Sequence, residues 1–315
     1  MKRLKIINNK NLIQVIGLII GLAAVFLSIK NVKSDLLWKS LSSMNIYWIL
    51  PIIAVNFVVI GFKAGRWMIL IGPVKKIGFW VMYRVLTISM MANNILPARM
   101  GEIARFYILG KEASISQIST AATILSDRII EGISFLIMSF LLISLVDVPK
   151  WMERGLYATL AITLAIYILG MIYSKRSIKN SYLERIQKGI AGLVSPKLLS
   201  SGLIISFISW ILQGLLIYMI QVSFNVQLPL WGVVLVLLSV NLIIAVPSAP
   251  AQIGTFEFAA VFAYTYLGLD NSTAFLLGAT YHILQVVPVT IAGSVLLLTK
   301  NITSWKNSQD LAVPY

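Results

Sequence analysis

Apolar residues run along this chain in long blocks, broken by short polar intervals. Continuous runs over residues 11–29, 46–71, 117–145, 156–173, 201–222 and 272–299 are each long enough, as helices, to cross a hydrocarbon core of ~30 Å. Two further apolar stretches, 80–112 and 230–268, are interrupted in the middle. The first interruption reads Pro97-Ala-Arg-Met-Gly-Glu102 and the second Pro250-Ala-Gln-Ile-Gly-Thr-Phe-Glu257. Proline removes a backbone donor and glycine loosens the chain, so each motif ends one helix and starts another. The arms on either side are short. Both stretches are therefore expected to be re-entrant hairpins that enter and leave the bilayer on one side, with their irregular backbone buried in protein or facing a wet cavity.

The order span, span, hairpin, span occurs twice, over about 11–145 and about 156–299. Each unit crosses the bilayer three times, so the second copy is inverted. The expected architecture is an all-α polytopic membrane protein: six full spans and two re-entrant helical hairpins in an inverted-topology repeat, forming a single transmembrane domain over 1–315. In inverted repeats the binding site lies where the halves meet, and broken helices at corresponding places mark it.

Composition supports a membrane class. Of 315 residues, 58% are hydrophobic and 12% are charged, where a soluble domain would be about one quarter charged. The excess of 26 Lys+Arg over 11 Asp+Glu suggests topology and not nucleic acid, because the basic residues fall mostly between apolar runs. Lys75 and Lys76 lie in the loop at 72–79. Lys175, Arg176, Lys179, Arg185, Lys188 and Lys197 lie in the longest polar loop, 174–200. With six spans these loops and both termini fall on one side, expected to be the cytoplasm of a cell-membrane protein. The interval 30–45, with Lys30, Lys33 and Lys39, is the misfit on the other side. The apolar run after Lys2, Arg3, Lys5 and Lys10 is longer than a signal-peptide core and is expected to be the first span. The chain has no cysteine and one histidine, so no metal and no cofactor are expected.

Charges inside apolar runs are expensive and mark candidate functional positions. In the run 117–145, Asp127, Arg128 and Glu131 share an arc of about 100° on a helix. They can form a self-neutralising cluster that fixes helix packing, or Arg128 can bind an anionic head group that the acids position. When the repeats are overlaid, His282 and Gln285 fall opposite Arg128 and Glu131. His282 is either a hydrogen-bonded packing residue or a group that titrates near neutrality. Lys63 and Arg66 are three apart, on one helical face. Both can simply snorkel to head groups, with Trp67 as an interfacial anchor. Arg99 and Arg105 flank the first break. Glu102 and Glu257 sit in the first turns that follow the breaks, where free N–H groups attract anions and where a Glu is also an ordinary helix-start residue.

These residues resemble a known family. Lys63–Trp67, Leu96-Pro97-x-Arg99-x-Gly101-Glu102-x-x-Arg105, Asp127-Arg128 and Pro247-x-x-Pro250-x-x-x-Gly254-Thr255-x-Glu257 together are similar to the transmembrane (flippase) domain of lysylphosphatidylglycerol synthases. The resemblance covers nearly the whole chain. It implies a lipid head-group flippase, acting on an aminoacylated phospholipid or a glycosylated polyprenyl lipid. Two departures stand out: Pro250-Ala-Gln-Ile-Gly where the family has Pro-Gly-Gly-x-Gly, and His282 where it often has Arg.

The expected function is transport of a lipid with a phosphate-bearing, anionic or zwitterionic head group, with no catalytic residue. The substrate-binding candidates are Lys63, Arg66, Arg99, Glu102, Arg105, Asp127, Arg128, Glu131, Glu257 and His282. The expected partner is the membrane lipid itself; a homo-oligomer stays open. A non-catalytic partner subunit of a lipid enzyme is the alternative. A lipid-linked transferase ranks below both, because there is no Asp-x-Asp and no loop large enough for a nucleotide-binding domain.

Overall fold

The computed structural model describes residues 19–96, 100–174, 181–243 and 249–310. All regular structure among the described residues is helical. Among the described residues, four helices are long and apolar enough to cross a membrane: Ile46–Ile71, Lys150–Ile172, Pro196–Ser223 and Asn271–Thr299. In chain order the helices are α1 (Ile19–Ile29), α2 (Ser34–Ser42), α3 (Ile49–Ile71), α4 (Phe79–Ile95), α5 (Met100–Glu112), α6 (Gln117–Leu145), α7 (Lys150–Ser174), α8 (Ser181–Val194), α9 (Pro196–Ser223), α10 (Leu230–Ile243), α11 (Thr255–Tyr266) and α12 (Asn271–Asp310). The part of the first apolar run before residue 19 lies outside the described residues, as do Pro97, Arg99 and Pro247.

The interrupted stretches form two helical hairpins. In the first, Arg84 near the start of α4 donates to Glu112 at the end of α5 (2.5 Å), so the two helices run antiparallel. Gly101, at the start of α5, lies so close to α4 that a Cβ there would stand 2.0 Å from the Ser89 carbonyl oxygen. Only glycine permits that approach. In the second, Gly232 at the start of α10 packs against Leu267, just past α11. The turn between these arms holds Ala251, Gln252 and Gly254 at positive φ. A Cβ on Gly254 would lie 2.1 Å from the carbonyl oxygen of Gly21 in α1, so this turn is seated directly on α1. The short helical turn Pro250–Gln252 also packs against α4, which brings the second break onto the first hairpin.

Hydrogen bonds group the connections into two ends. At one end, Asn45 N–H donates to Ser223 O (2.7 Å), Lys33 N–H to Ser272 Oγ (3.0 Å) and Tyr266 OH to Asp147 O (3.1 Å). At the other end, Lys75 Nζ donates to Ala113 O (2.7 Å), joining the chain before α4 to the chain after α5.

Two intervals expected as loops are partly helical. Residues 34–42 form α2, packed on α12. The longest polar interval forms α8, because Leu183, Ile186, Ile190 and Leu193 recur at helical spacing beneath its charges. Ile190 and Leu193 join Leu70, Ala122, Ile129 and Ile130 in one apolar cluster, and Ser126 Oγ donates to Gly189 O (3.1 Å). The run expected at 156–173 starts earlier, at Lys150.

Apolar burial gives little net attraction between helices in lipid, so close packing and interhelical hydrogen bonds carry more of the stability. One such bond follows directly from the sequence. Pro288 lies inside α12 and has no N–H for the carbonyl of Leu284, four residues back. Asn56 of α3 supplies the missing donor: its Nδ2 lies 3.3 Å from Leu284 O and 3.3 Å from Gln285 O.

Candidate functional site

Nearly all of the intramembrane charges converge on one cavity of about 400 Å³. Its lining includes Lys63 and Arg66 from α3, Glu102 and Arg105 from α5, Asp127, Arg128 and Glu131 from α6, and His282 from α12. Ala249, Ala251 and Gln252 of the second break line it too, so both interrupted motifs border the same space.

The first-half charges are connected through Asp127. Its Oδ1 accepts from Arg66 Nε (2.7 Å) and its Oδ2 from Arg105 Nη2 (3.1 Å). Both arginine side chains are 1% exposed. Arg66 Nη1 also donates to Ser206 Oγ of α9 (2.9 Å). Arg105 lies over the face of Trp67, 3.8 Å from the ring centroid, a cation–π contact that strengthens when desolvated. Trp67 Nε1 in turn donates to Thr123 Oγ1 (3.2 Å). Arg66 and Trp67 therefore do not extend to an interface as snorkelling residue and anchor. Both are fully buried, and Arg66 has a carboxylate partner that makes burial affordable in the sense of charge pairing.

Arg128 occupies a different position. Its side chain is 47% exposed, facing the cavity that it lines. Its guanidinium contacts Glu102 and, through Nη1, Glu131 Oε2 (2.6 Å). Glu131 also meets Lys63 Nζ (3.4 Å) and Arg66 Nη2 (3.4 Å). Four cationic side chains thus meet three carboxylates, so with all groups ionised the cluster has one positive charge in excess among the described residues. Two nitrogens of Arg105, Nε and Nη1, are buried without a hydrogen-bond partner, and Glu102 Oε2 lies 3.7 Å from Nη1.

The second half repeats the pairing with different chemistry. Glu257, in the first turn of α11, meets His282 of α12, as Glu102, in the first turn of α5, meets Arg128 of α6. His282 Nδ1 stands 2.6 Å from Glu257 Oε1 and Nε2 stands 2.8 Å from Ala251 O. A carbonyl oxygen only accepts, so Nε2 carries a proton. The ring stacks on Phe256 at 4.3 Å and 8°. Glu257 Oε2 also accepts from Gly254 N–H (2.7 Å). The carboxylate thus fills part of its own helix N-terminus as a helix-start residue, and that end is only partly free for an external anion.

Of the sequence-derived candidates, Lys63, Arg66, Glu102, Arg105, Asp127, Arg128, Glu131 and His282 line the cavity. Glu257 reaches it through His282. Arg99 lies outside the described residues. Sequence reasoning missed Ser206, which binds Arg66, and Ser134, which shares a 2.6 Å hydrogen bond with Ser206. It also missed Asn56, Gln213 and Asn241 of the lining. Their signal is an isolated polar residue in an apolar run, which is weaker than a charge.

Fold and site define a polytopic helical membrane protein with a charged internal cavity bounded by two broken helices. The chain belongs to the family described as the lysylphosphatidylglycerol synthase TM region, which matches residues 14–293. It is also similar to UPF0104 membrane proteins of two archaea. One from Methanocaldococcus jannaschii is 28% identical over 217 residues, covering 66% of this chain and 93% of that protein. Two from Methanothermobacter thermautotrophicus are 23% and 22% identical, each over 82% of this chain and over 86% and 80% of their own lengths. No solved structure matches the chain significantly.

Proposed function

We propose that this protein moves a lipid with a phosphate-bearing head group across the membrane, with the head group in the charged cavity and the tails in the bilayer. The observation that carries this reading is the convergence of both broken motifs on one cavity in which the Arg128 guanidinium is half-exposed. Arg128 is the exposed cation of the charged cluster and is the head-group ligand. Glu102 and Glu131 hold it in place. Asp127, buried between Arg66 and Arg105, holds the helices together. A lysyl or other cationic substituent on the head group would meet Glu102 or Glu131. The role is transport and not catalysis.

The same reading assigns the two helical hairpins as re-entrant, entering from opposite sides, within a six-span inverted repeat of about 11–145 and about 156–299. Support comes from the ends at which their arms are tied: α4 and α5 at the end of Lys75 and Ala113, α10 and α11 at the end of Asn45, Ser223 and Asp147. The basic intervals at 72–79 and 174–200 support a cytoplasmic side for the first of these ends, and with it for both termini.

The test is reconstitution into liposomes with a panel of labelled phospholipids: anionic, zwitterionic, aminoacylated and glycosylated. The expected result is protein-dependent movement of at least one phosphate-bearing lipid, abolished by Arg128→Ala. Equal movement by Arg128→Ala protein of normal stability would remove the assignment.

A further inference from the structure

A second cavity, of about 440 Å³, lies between α6 and α7, and its walls are almost wholly apolar. We propose that it holds one hydrocarbon tail of the lipid whose head group occupies the charged cavity. The proposal rests on the head-group reading above.

Adjacency carries the argument. The charged cavity is lined by Gly132 and Phe135 of α6 and by Thr159 of α7. The apolar groove starts at the adjoining residues, Ile133 and Leu136 on α6 and Leu160 on α7. The two spaces are therefore neighbours along both walls. Gly132 stands between the two spaces, where α6 comes close to α7: a Cβ there would lie 3.5 Å from Thr163 Oγ1, in ordinary contact, whereas a larger side chain would not fit between the two helices.

Length fits the occupant. From Ile133 to Ser144 the groove follows α6 for about 16 Å at 1.5 Å per residue. That is about half of a ~30 Å hydrocarbon core, the depth of one leaflet. The polar group at its far end is already satisfied, since Ser144 Oγ donates to Leu141 O (2.8 Å). The groove is also open at its side, where Leu141 and Leu164 are exposed. A tail can thus slide in from the bilayer without threading through the protein.

The experiment uses the full chain in phosphatidylcholine nanodiscs that contain phosphatidylglycerol with a diazirine in one acyl chain. After irradiation, adducts are mapped by mass spectrometry. Adducts on residues 133–144 of α6 and on Leu160 and Leu164 of α7 should exceed, several-fold, those on Ile162 and Leu169, which are exposed on the opposite face of α7. Gly132→Phe and Leu164→Trp should each remove this excess, and Gly132→Ala should keep it. Equal labelling of groove and outer face means annular lipid only and overturns the proposal. So does groove labelling that both blocking variants leave intact, or crosslinking of a second copy of the chain through the groove. A protein that moves labelled lipid in liposomes yet labels uniformly loses the groove alone. One that moves none of the panel loses the head-group reading itself.

Discussion

Asp127 and Arg128 are neighbours in sequence with opposite environments, and the account gives them separable roles. Asp127 is the shared partner of two fully buried arginines. Asp127→Asn leaves those guanidinium groups uncompensated, and removal of one partner from a buried ion pair costs about 3–5 kcal/mol. A clear loss of thermal stability in detergent is the expected outcome. Arg128→Ala removes a half-exposed group, so it should retain most of the melting temperature and lose lipid transport. Equal destabilisation by both would assign Arg128 to packing. The candidate charges were legible because ionised groups in apolar runs are rare. Their division of labour was not, because periodicity gives the face a residue occupies and not its partner. Asp127 binds residues 61 and 22 positions away. Lys63-x-x-Arg66-Trp67 also carries the pattern of an interfacial anchor, and only tertiary contacts show it to be internal. Asn56→Leu should cost about 1–3 kcal/mol by stranding the carbonyl that Pro288 leaves free, measured as a shift of the melting curve.

At the scale of elements, the two breaks depend on close backbone approach. Gly254 combines φ of +89° with contact on Gly21, whereas Gly268 has φ of +91° and nothing within 4 Å of a Cβ. Substitution by alanine separates the two effects. Gly268→Ala should show strain alone, on the order of 1 kcal/mol. Gly254→Ala should add the displacement of α1 and melt at a distinctly lower temperature. Equal losses would show that the seat on α1 contributes nothing. The breaks themselves could be read from proline and glycine in apolar runs, and their flanking helices fall close to the expected bounds. Helices α2 and α8 could not be read the same way. In α8 the apolar residues at positions 183, 186, 190 and 193 alternate with Glu184, Arg185 and Lys188, and the charges dominate any hydropathy window. The helical spacing of these four residues is a local signal that a hydropathy window misses, and the surface of α6 that α8 covers is reported by no local pattern.

For the whole molecule, the proposed inverted arrangement predicts which side each loop faces. Single cysteines at 76 and 150, introduced into a chain that has none, should react with an impermeant reagent from the cytoplasmic and external sides respectively. Labelling of both from one side would contradict the arrangement. The pairing of Glu102 with Arg128 and of Glu257 with His282 gives the two halves matching contacts at the cavity, one with a permanently charged partner and one with an imidazole. The weak repeat in sequence pointed to these positions, while the cavity that joins them depends on how the halves dock. The most direct measurement of the central claim is transport of labelled phospholipid by reconstituted wild-type protein against Glu102→Gln, Glu257→Gln and Arg128→Ala, with melting temperatures taken on the same samples. The account predicts transport by the wild type and its loss in all three variants while each stays folded. Undiminished transport in the three folded variants would contradict it.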